Sequence, residues 1–257
     1  MRCNEAAAAL VMIAPEGHMS QYDWQNQRQP AVVGGATVET QERIRTFVRG
    51  VYAWMFGGLL LTALASAWVI SSPAMQQIIF GNPAMPWILF AAELGIVFFL
   101  SFRITKMSAG TAAGAFLVFS FLNGLTLSAI FMIYTPASIV GAFASAGGMF
   151  GAMAIYGLVT KRDLTSWGSF FFMGLIGIVI CSIVNIFLQS SALSFTISIV
   201  GVFVFLGLTA WDNQKLKTYA MSPNLRENLA IIGALALYLD FINLFIFLLR
   251  IFGGRRD

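Results

Sequence analysis

The segment at residues 228–250, NLAIIGALALYLDFINLFIFLLR, is apolar enough to lie in lipid but carries an acid, Asp240, near its middle. A helix rises about 1.5 Å per residue, which places Asp240 roughly 18 Å along the segment and near the centre of a hydrocarbon core about 30 Å thick. A charged carboxylate there costs about 2.5 kcal/mol or more, so such residues face a bundle interior or a water-filled cavity. Asp240 is therefore the first candidate functional residue.

Small and polar residues follow one face of this segment. Gly233, Ala236, Asp240 and Asn243 recur at spacings of three and four, whereas Leu, Ile and Phe cover the other faces. The pattern predicts that this stripe faces inward, with Asn243 as a supporting polar residue.

The composition is that of an integral membrane protein. Hydrophobic residues make up 58% of the chain and charged residues 10%, whereas a soluble domain has about 25% charged residues. The net charge of +4 comes from flanks and loops, so it does not indicate a nucleic-acid partner. A single histidine, His18, excludes a Ser-His pair in the membrane, an HExxH zinc site and haem ligation. We expect no enzymatic activity and no cofactor.

The rest of the chain predicts an all-α polytopic protein. Residues 1–46 are polar and lack periodicity, and we expect a flexible cytoplasmic tail there and a seven-helix membrane domain at 47–257. Each predicted crossing is long enough to span a bilayer. The seven apolar segments are 47–71, 85–103, 110–133, 138–160, 167–189, 193–212 and 229–250.

The charges between the segments predict an orientation. Alternate connections are basic, and the positive-inside rule places these loops and the N-terminus in the cytoplasm. Seven crossings leave Arg255 and Arg256 outside, so either these late charges are weak determinants or the Asp240 segment is re-entrant. The basic residues of the loops are Arg103 and Lys106, Lys161 and Arg162, and Lys215, Lys217 and Arg226.

The fourth segment is rich in small residues. Gly147 and Gly151 form a small-xxx-small pair, which favours close packing of two helix backbones. A packing helix is a better interpretation of this segment than a pore lining.

Asp212 ends the sixth segment, at the predicted cytoplasmic border. It is either an ordinary acid at a loop edge or a partner of Asp240, since consecutive helices joined by a short loop are often neighbours. Two close carboxyl groups in a poorly solvated site share a proton and respond to pH. When ionised they offer hard oxygen ligands that suit calcium, so Asp212 and Asp240 are also the candidate metal ligands.

Three further residues are candidates. Arg103, at the cytoplasmic end of the second segment, is either an electrostatic latch for one of these acids or an anchor that snorkels to the interface. Glu93 is a second intramembrane acid, either buried and protonated or part of an ion path. Asn123 suits an interhelical hydrogen bond better than a ligand role.

The sequence ALALYLDFINLFIFLLRIFG at 234–253 resembles the C-terminal signature of the Bax inhibitor-1 family in its bacterial form. The stretch LNGLTLSAIF at 122–131 and the acid Asp212 are also similar to that family, and the resemblance covers the chain from about residue 46 onward. It implies seven helices in an inner membrane, with six surrounding a central last helix. It also implies a pH-sensitive calcium leak gated by a di-aspartyl sensor, onto which Asp212 and Asp240 match, and Arg103 is the nearest candidate for a latch.

Three functions compete. The first is a proton-regulated calcium leak, whose partners are calcium ions, protons and the lipid bilayer. The second is a membrane regulator of another protein, such as a membrane-anchored quality-control protease, with the N-terminal tail as its handle. The third is an intramembrane aspartyl protease, which ranks lowest because Leu237, Tyr238 and Leu239 precede Asp240 in place of a Gly-x-Gly sequence.

Overall fold

A computed structural model describes residues 32–33, 36–103, 106–221 and 228–254. The chain divides into two compact units, Met1–Arg43 and Ile44–Asp257. Two-residue strands β1 (Val32–Val33) and β2 (Ala36–Thr37) pair antiparallel. The helices are α1 (Val38–Ser71), α2 (Pro73–Phe80), α3 (Met85–Arg103), α4 (Ala109–Ile133), α5 (Pro136–Val159), α6 (Thr165–Leu188), α7 (Ser191–Met221) and α8 (Asn228–Phe252).

The predicted class of seven long apolar helices is confirmed. Within the described part of the chain, all helices except the short α2 are long and apolar enough to cross a membrane. Two helices extend nine residues beyond the predicted bounds. Helix α1 begins at Val38 and not at residue 47, and α7 runs to Met221 and not to residue 212. The last turns of α7 are polar in sequence but bury Leu216 and Ala220, so the helix continues beyond the part that hydrophobicity marks.

Local sequence fixes several helix ends. Ser72 and Thr135 each cap a helix that begins with proline, and Ser108 caps α4 by accepting a hydrogen bond from the Thr111 N–H at 3.1 Å. At the other end of a helix, Gln189 closes α6 in the left-handed region with φ 49°, which permits the two-residue turn into α7.

The last helix is the most buried crossing. In its most apolar stretch 72% of residues are buried, compared with 6% in α6. Helix α8 packs against α7, α5 and α4, while α3 packs on α4 and α6 packs on α7. The arrangement of six helices around α8 stays a prediction. Because α8 is a continuous helix of 25 residues, about 37 Å long, its length fits a full crossing better than a re-entrant segment.

The close approach of α5 to a neighbour occurs at Gly157. A Cβ atom placed there would overlap the carbonyl oxygen of Ala210 in α7, whereas a Cβ at Gly147 or Gly151 would meet nothing within 4 Å. The interpretation of Gly147 and Gly151 as the packing pair is therefore wrong within this chain, because those glycines face away from the neighbouring helices. The pattern is present in the sequence, but it does not tell which face of α5 meets α7.

We expect Gly157→Ala to lower the stability of the bundle by about 2 kcal/mol, since the backbone of α7 must move away from the new methyl group. Thermal unfolding in detergent micelles measures the change. Gly147→Ala is the matched control on the same helix and should leave the midpoint unchanged or slightly higher. Equal midpoints for the two variants would contradict the close contact.

Candidate functional site

Asp240 lies on the buried side of α8. Its side chain is 4% exposed, and its neighbours Leu237, Leu244 and Phe241 are also buried. The Oδ2 atom is buried and has no hydrogen-bond partner among the described residues. A buried carboxyl oxygen without a partner is costly, so this atom marks a place where a proton, water or cation is expected.

Asp212 lies next to Asp240. Helix α7 carries Asp212, whose side chain is 13% exposed, and the two carboxyl groups lie within hydrogen-bonding distance. Ionised carboxylates only accept hydrogen bonds, so a contact of this kind needs a proton on one of them.

The extra length of α7 explains why the two acids meet at one depth. Asp212 lies about 13 Å from the end of α7 at Met221, and Asp240 lies about 18 Å from the start of α8 at Asn228. With the sixth segment ending at residue 212, Asp212 would have been at the membrane border and much shallower than Asp240. The polar last turns of α7 are what bring it into the bundle.

A cation flanks the pair. The Nζ atom of Lys215 lies 3.4 Å from Oδ1 of Asp212 and 4.2 Å from the ring centroid of Trp211. If the pair shared one proton, it would carry a single negative charge, which the Lys215 ammonium group would balance. The Lys215 side chain is 38% exposed, so the cation lies at the surface of the bundle.

Neighbouring polar residues fix this part of α7. Asn213, which is fully buried, accepts a hydrogen bond from the Tyr52 hydroxyl of α1 at 2.6 Å and donates to the Thr209 carbonyl at 2.8 Å. Gln214 accepts from the Leu164 N–H at 2.8 Å. The chain beside Asp212 is thus held to α1 and to the loop before α6. Sequence reasoning missed these residues, since an amide at a predicted loop edge gives no signal of burial.

Glu93 forms a separate cluster. Its side chain, 8% exposed, accepts a hydrogen bond from the Thr126 hydroxyl at 2.6 Å and another from the Asn123 amide at 3.1 Å. Both carboxyl oxygens are therefore satisfied by donors on α4. Asn123 makes the interhelical hydrogen bond that was predicted for it, but with Glu93 and not with Asp240.

Tyr238 extends this cluster across the bundle. Its hydroxyl donates to Oδ1 of Asn123 at 3.0 Å and lies 2.6 Å from the hydroxyl of Thr62 in α1. The network consequently joins α3, α4, α8 and α1. Tyr238 precedes Asp240 by two residues, which is about 200° of helical rotation, so the two side chains leave α8 on nearly opposite faces.

The remaining candidates are not in contact with the acids. Arg103 is exposed at the end of α3, and within the described ranges the ion pair at Asp212 is made by Lys215. The latch role of Arg103 stays a prediction. Asn243 donates to the Leu239 carbonyl of its own helix at 2.8 Å. Its support of Asp240 is likewise untested.

The acidic pair alone does not complete a calcium coordination shell. Calcium takes six to eight oxygen ligands, and two carboxyl groups supply at most four. Among the described residues no group of three or more His, Cys, Asp or Glu side chains could hold a metal ion. Water or backbone carbonyls would have to supply the remaining ligands.

We expect Tyr238→Phe to lower the free energy of unfolding by about 1 kcal/mol, because the Asn123 and Thr62 side chains lose a buried partner. Chemical unfolding in detergent micelles measures the loss. Tyr156→Phe is the control, since Tyr156 is 43% exposed on α5. A loss as large in the control would show that the network adds no stability.

Comparison with known proteins agrees with this architecture. The family model described as "Inhibitor of apoptosis-promoting Bax1" matches residues 44–257. The chain is 48% identical to the inner membrane protein YbhL of Escherichia coli K12 over 85% of its length and 96% of that protein. It is 45% identical to an uncharacterized protein of Rickettsia prowazekii over 84% of its length and 92% of that protein. The chain belongs to the Bax inhibitor-1 family.

Proposed function

We propose that this protein is a proton-sensitive calcium leak channel in which Asp212 and Asp240 are the sensor. The observation that carries the proposal is the contact between these two carboxyl groups inside the bundle, with one buried oxygen of Asp240 unpartnered. Membership of the family is consistent with it. The activity itself is non-enzymatic, and calcium is the permeant ion.

The proton controls the force between α7 and α8. While the proton is shared, a hydrogen bond ties the two helices together near Lys215. Once it leaves, two negative charges face each other, and at 4 Å and an effective dielectric constant of about 20 they repel by roughly 4 kcal/mol. That repulsion is comparable to the packing energy of a few side chains. It can separate the helices locally, and the paired charges then attract a cation.

Two features support the cellular setting. The similar E. coli protein is named as an inner membrane protein, and basic loops favour a cytoplasmic N-terminus. In this orientation the acidic pair lies about 13 to 18 Å from the cytoplasmic ends of α7 and α8. Protons and calcium would then reach the sensor from the cytoplasm, along the edge where Lys215 is exposed.

We expect wild-type calcium flux into proteoliposomes to rise with pH, because the buried carboxyl pair loses its shared proton as pH rises. Asp240→Asn and Asp212→Asn should abolish this variation. An amide can donate the hydrogen bond that the shared proton provides, so each variant should show the wild-type low-pH flux at every pH. A calcium-sensitive dye inside the vesicles measures the flux.

Asp163→Asn is the matched control for this experiment. Asp163 lies in the loop before α6, is exposed and accepts its hydrogen bonds from Thr165 and not from either acid of the pair. The control should keep the wild-type pH profile. Identical profiles for wild type and both sensor variants would refute the di-aspartyl sensor, and absence of flux from every sample would favour the regulatory role predicted from the family.

A further inference from the structure

A groove of about 670 Å³ lies between α6, α7 and the end of α8. It is at the opposite end of the bundle from the acidic pair, since Ser191 at the start of α7 lies about 31 Å along the helix from Asp212. The groove is distinct from the proposed sensor. The residues of its polar wall are Tyr134, Ser182, Asn185, Ser191, Ser194, Ser198 and Arg250.

Arg250 provides the charge of this groove. Its side chain is exposed, and no carboxylate of the described residues lies within ion-pair distance of it. The Cζ atom of Arg250 lies 5.8 Å from the centroid of the Phe247 ring. A guanidinium group presents its N–H donors as a planar fork that matches two oxygens of a phosphate. An anion is therefore the natural ligand of this wall.

Further donors lie beside Arg250. The hydroxyl groups of Ser182 and Ser194 have no hydrogen-bond partner within the part of the chain that the structure describes, and both line the groove. Asn185 accepts from the Ser190 N–H at 3.1 Å through its carbonyl oxygen, which leaves its amide N–H groups available. The turn at Gln189 also brings the N-terminal end of α7 to this side, where the helix dipole favours negative charge.

The other wall of the groove is apolar. Ile186 is 55% exposed and Phe195 is 51% exposed, and both line the same groove from the lipid-facing surfaces of α6 and α7. A free phosphate ion would use the polar wall alone. A phospholipid would use both, with its phosphate at Arg250 and the upper part of an acyl chain against these side chains.

The charge of the wall selects among phospholipids. No acidic residue lines the groove, so nothing among the described residues would pair with the cation of a zwitterionic headgroup. A lipid with net negative charge has no cationic headgroup that would lie unpaired beside Arg250, so the groove favours an anionic phospholipid.

We propose that this groove is a binding site for an anionic phospholipid, with its phosphodiester held by Arg250 and by the hydroxyl and amide donors of α6 and α7. The bound lipid bridges α6, α7 and the end of α8. It thereby adds contacts to α6, the crossing with the smallest share of buried residues among those described.

Binding can be measured on the full chain in detergent micelles by native mass spectrometry. The probes are dihexanoyl phosphatidylglycerol, dihexanoyl phosphatidylcholine and inorganic phosphate. We expect phosphatidylglycerol to bind most tightly of the three probes. Arg250→Gln should weaken the binding of phosphatidylglycerol about tenfold, because a charge-assisted hydrogen bond is lost. Lys161→Gln, which makes the same charge change at the other end of the bundle, should leave its affinity unchanged.

Two further variants cover the case in which Arg250→Gln does not fold. Arg250→Lys keeps the charge but loses the planar N–H donors of the guanidinium group, and Ser194→Ala removes one hydroxyl donor. Each variant should therefore bind phosphatidylglycerol about threefold more weakly than the wild type. Equal affinities for wild type and these variants, or an equal loss in Lys161→Gln, would overturn the site. Binding of inorganic phosphate or phosphatidylcholine as tight as that of phosphatidylglycerol would overturn the assignment to an anionic lipid.

Discussion

The cost of placing a carboxyl group inside a membrane bundle governs the arrangement of this protein. Asp240 is buried on the most buried helix, and a lone charge there would be unstable. The nearby carboxyl group of Asp212 adds to the cost of a charge on Asp240, and the nearby cation of Lys215 reduces it. The polar last turns of α7 extend that helix beyond Asp212, so that Asp212 lies at the same depth as Asp240. The acidic site therefore depends on the length of α7.

The second buried acid is accommodated in a different way. Glu93 has two hydrogen-bond donors on α4, and the network continues through Tyr238 to α1. Among the described residues no second carboxyl group is coupled to it, and each of its oxygens has a hydrogen-bond donor, so this cluster is suited to holding helices together. The pair at Asp240 has an unpartnered oxygen and is suited to change. Two intramembrane acids in one chain thus have different surroundings and different chemistry.

Much of this could be predicted from the sequence, because hydrophobicity and charge act along the chain. The seven crossings follow from the lengths of the apolar segments, and the predicted bounds of α3 equal the observed ones. Asp240 can be recognised because it is an acid within an apolar segment. Contacts between helices are less accessible. Hydrophobicity does not predict the end of α7, because burial of Leu216 depends on α8. The small-residue spacing points to Gly147 and Gly151, because spacing does not reveal that Gly157 is the glycine that meets α7. The partners of Tyr238 likewise depend on three other helices.

Tyr238 and Asp240 leave α8 on nearly opposite faces within a single turn, and each has a partner on a different set of helices. A twist of α8 about its own axis would consequently strain both attachments at once, one on each flank. A short slide or a tilt that pivots on the tyrosine can release the aspartate alone. The two attachments therefore restrict the motion of α8 to a short slide or to a tilt about Tyr238.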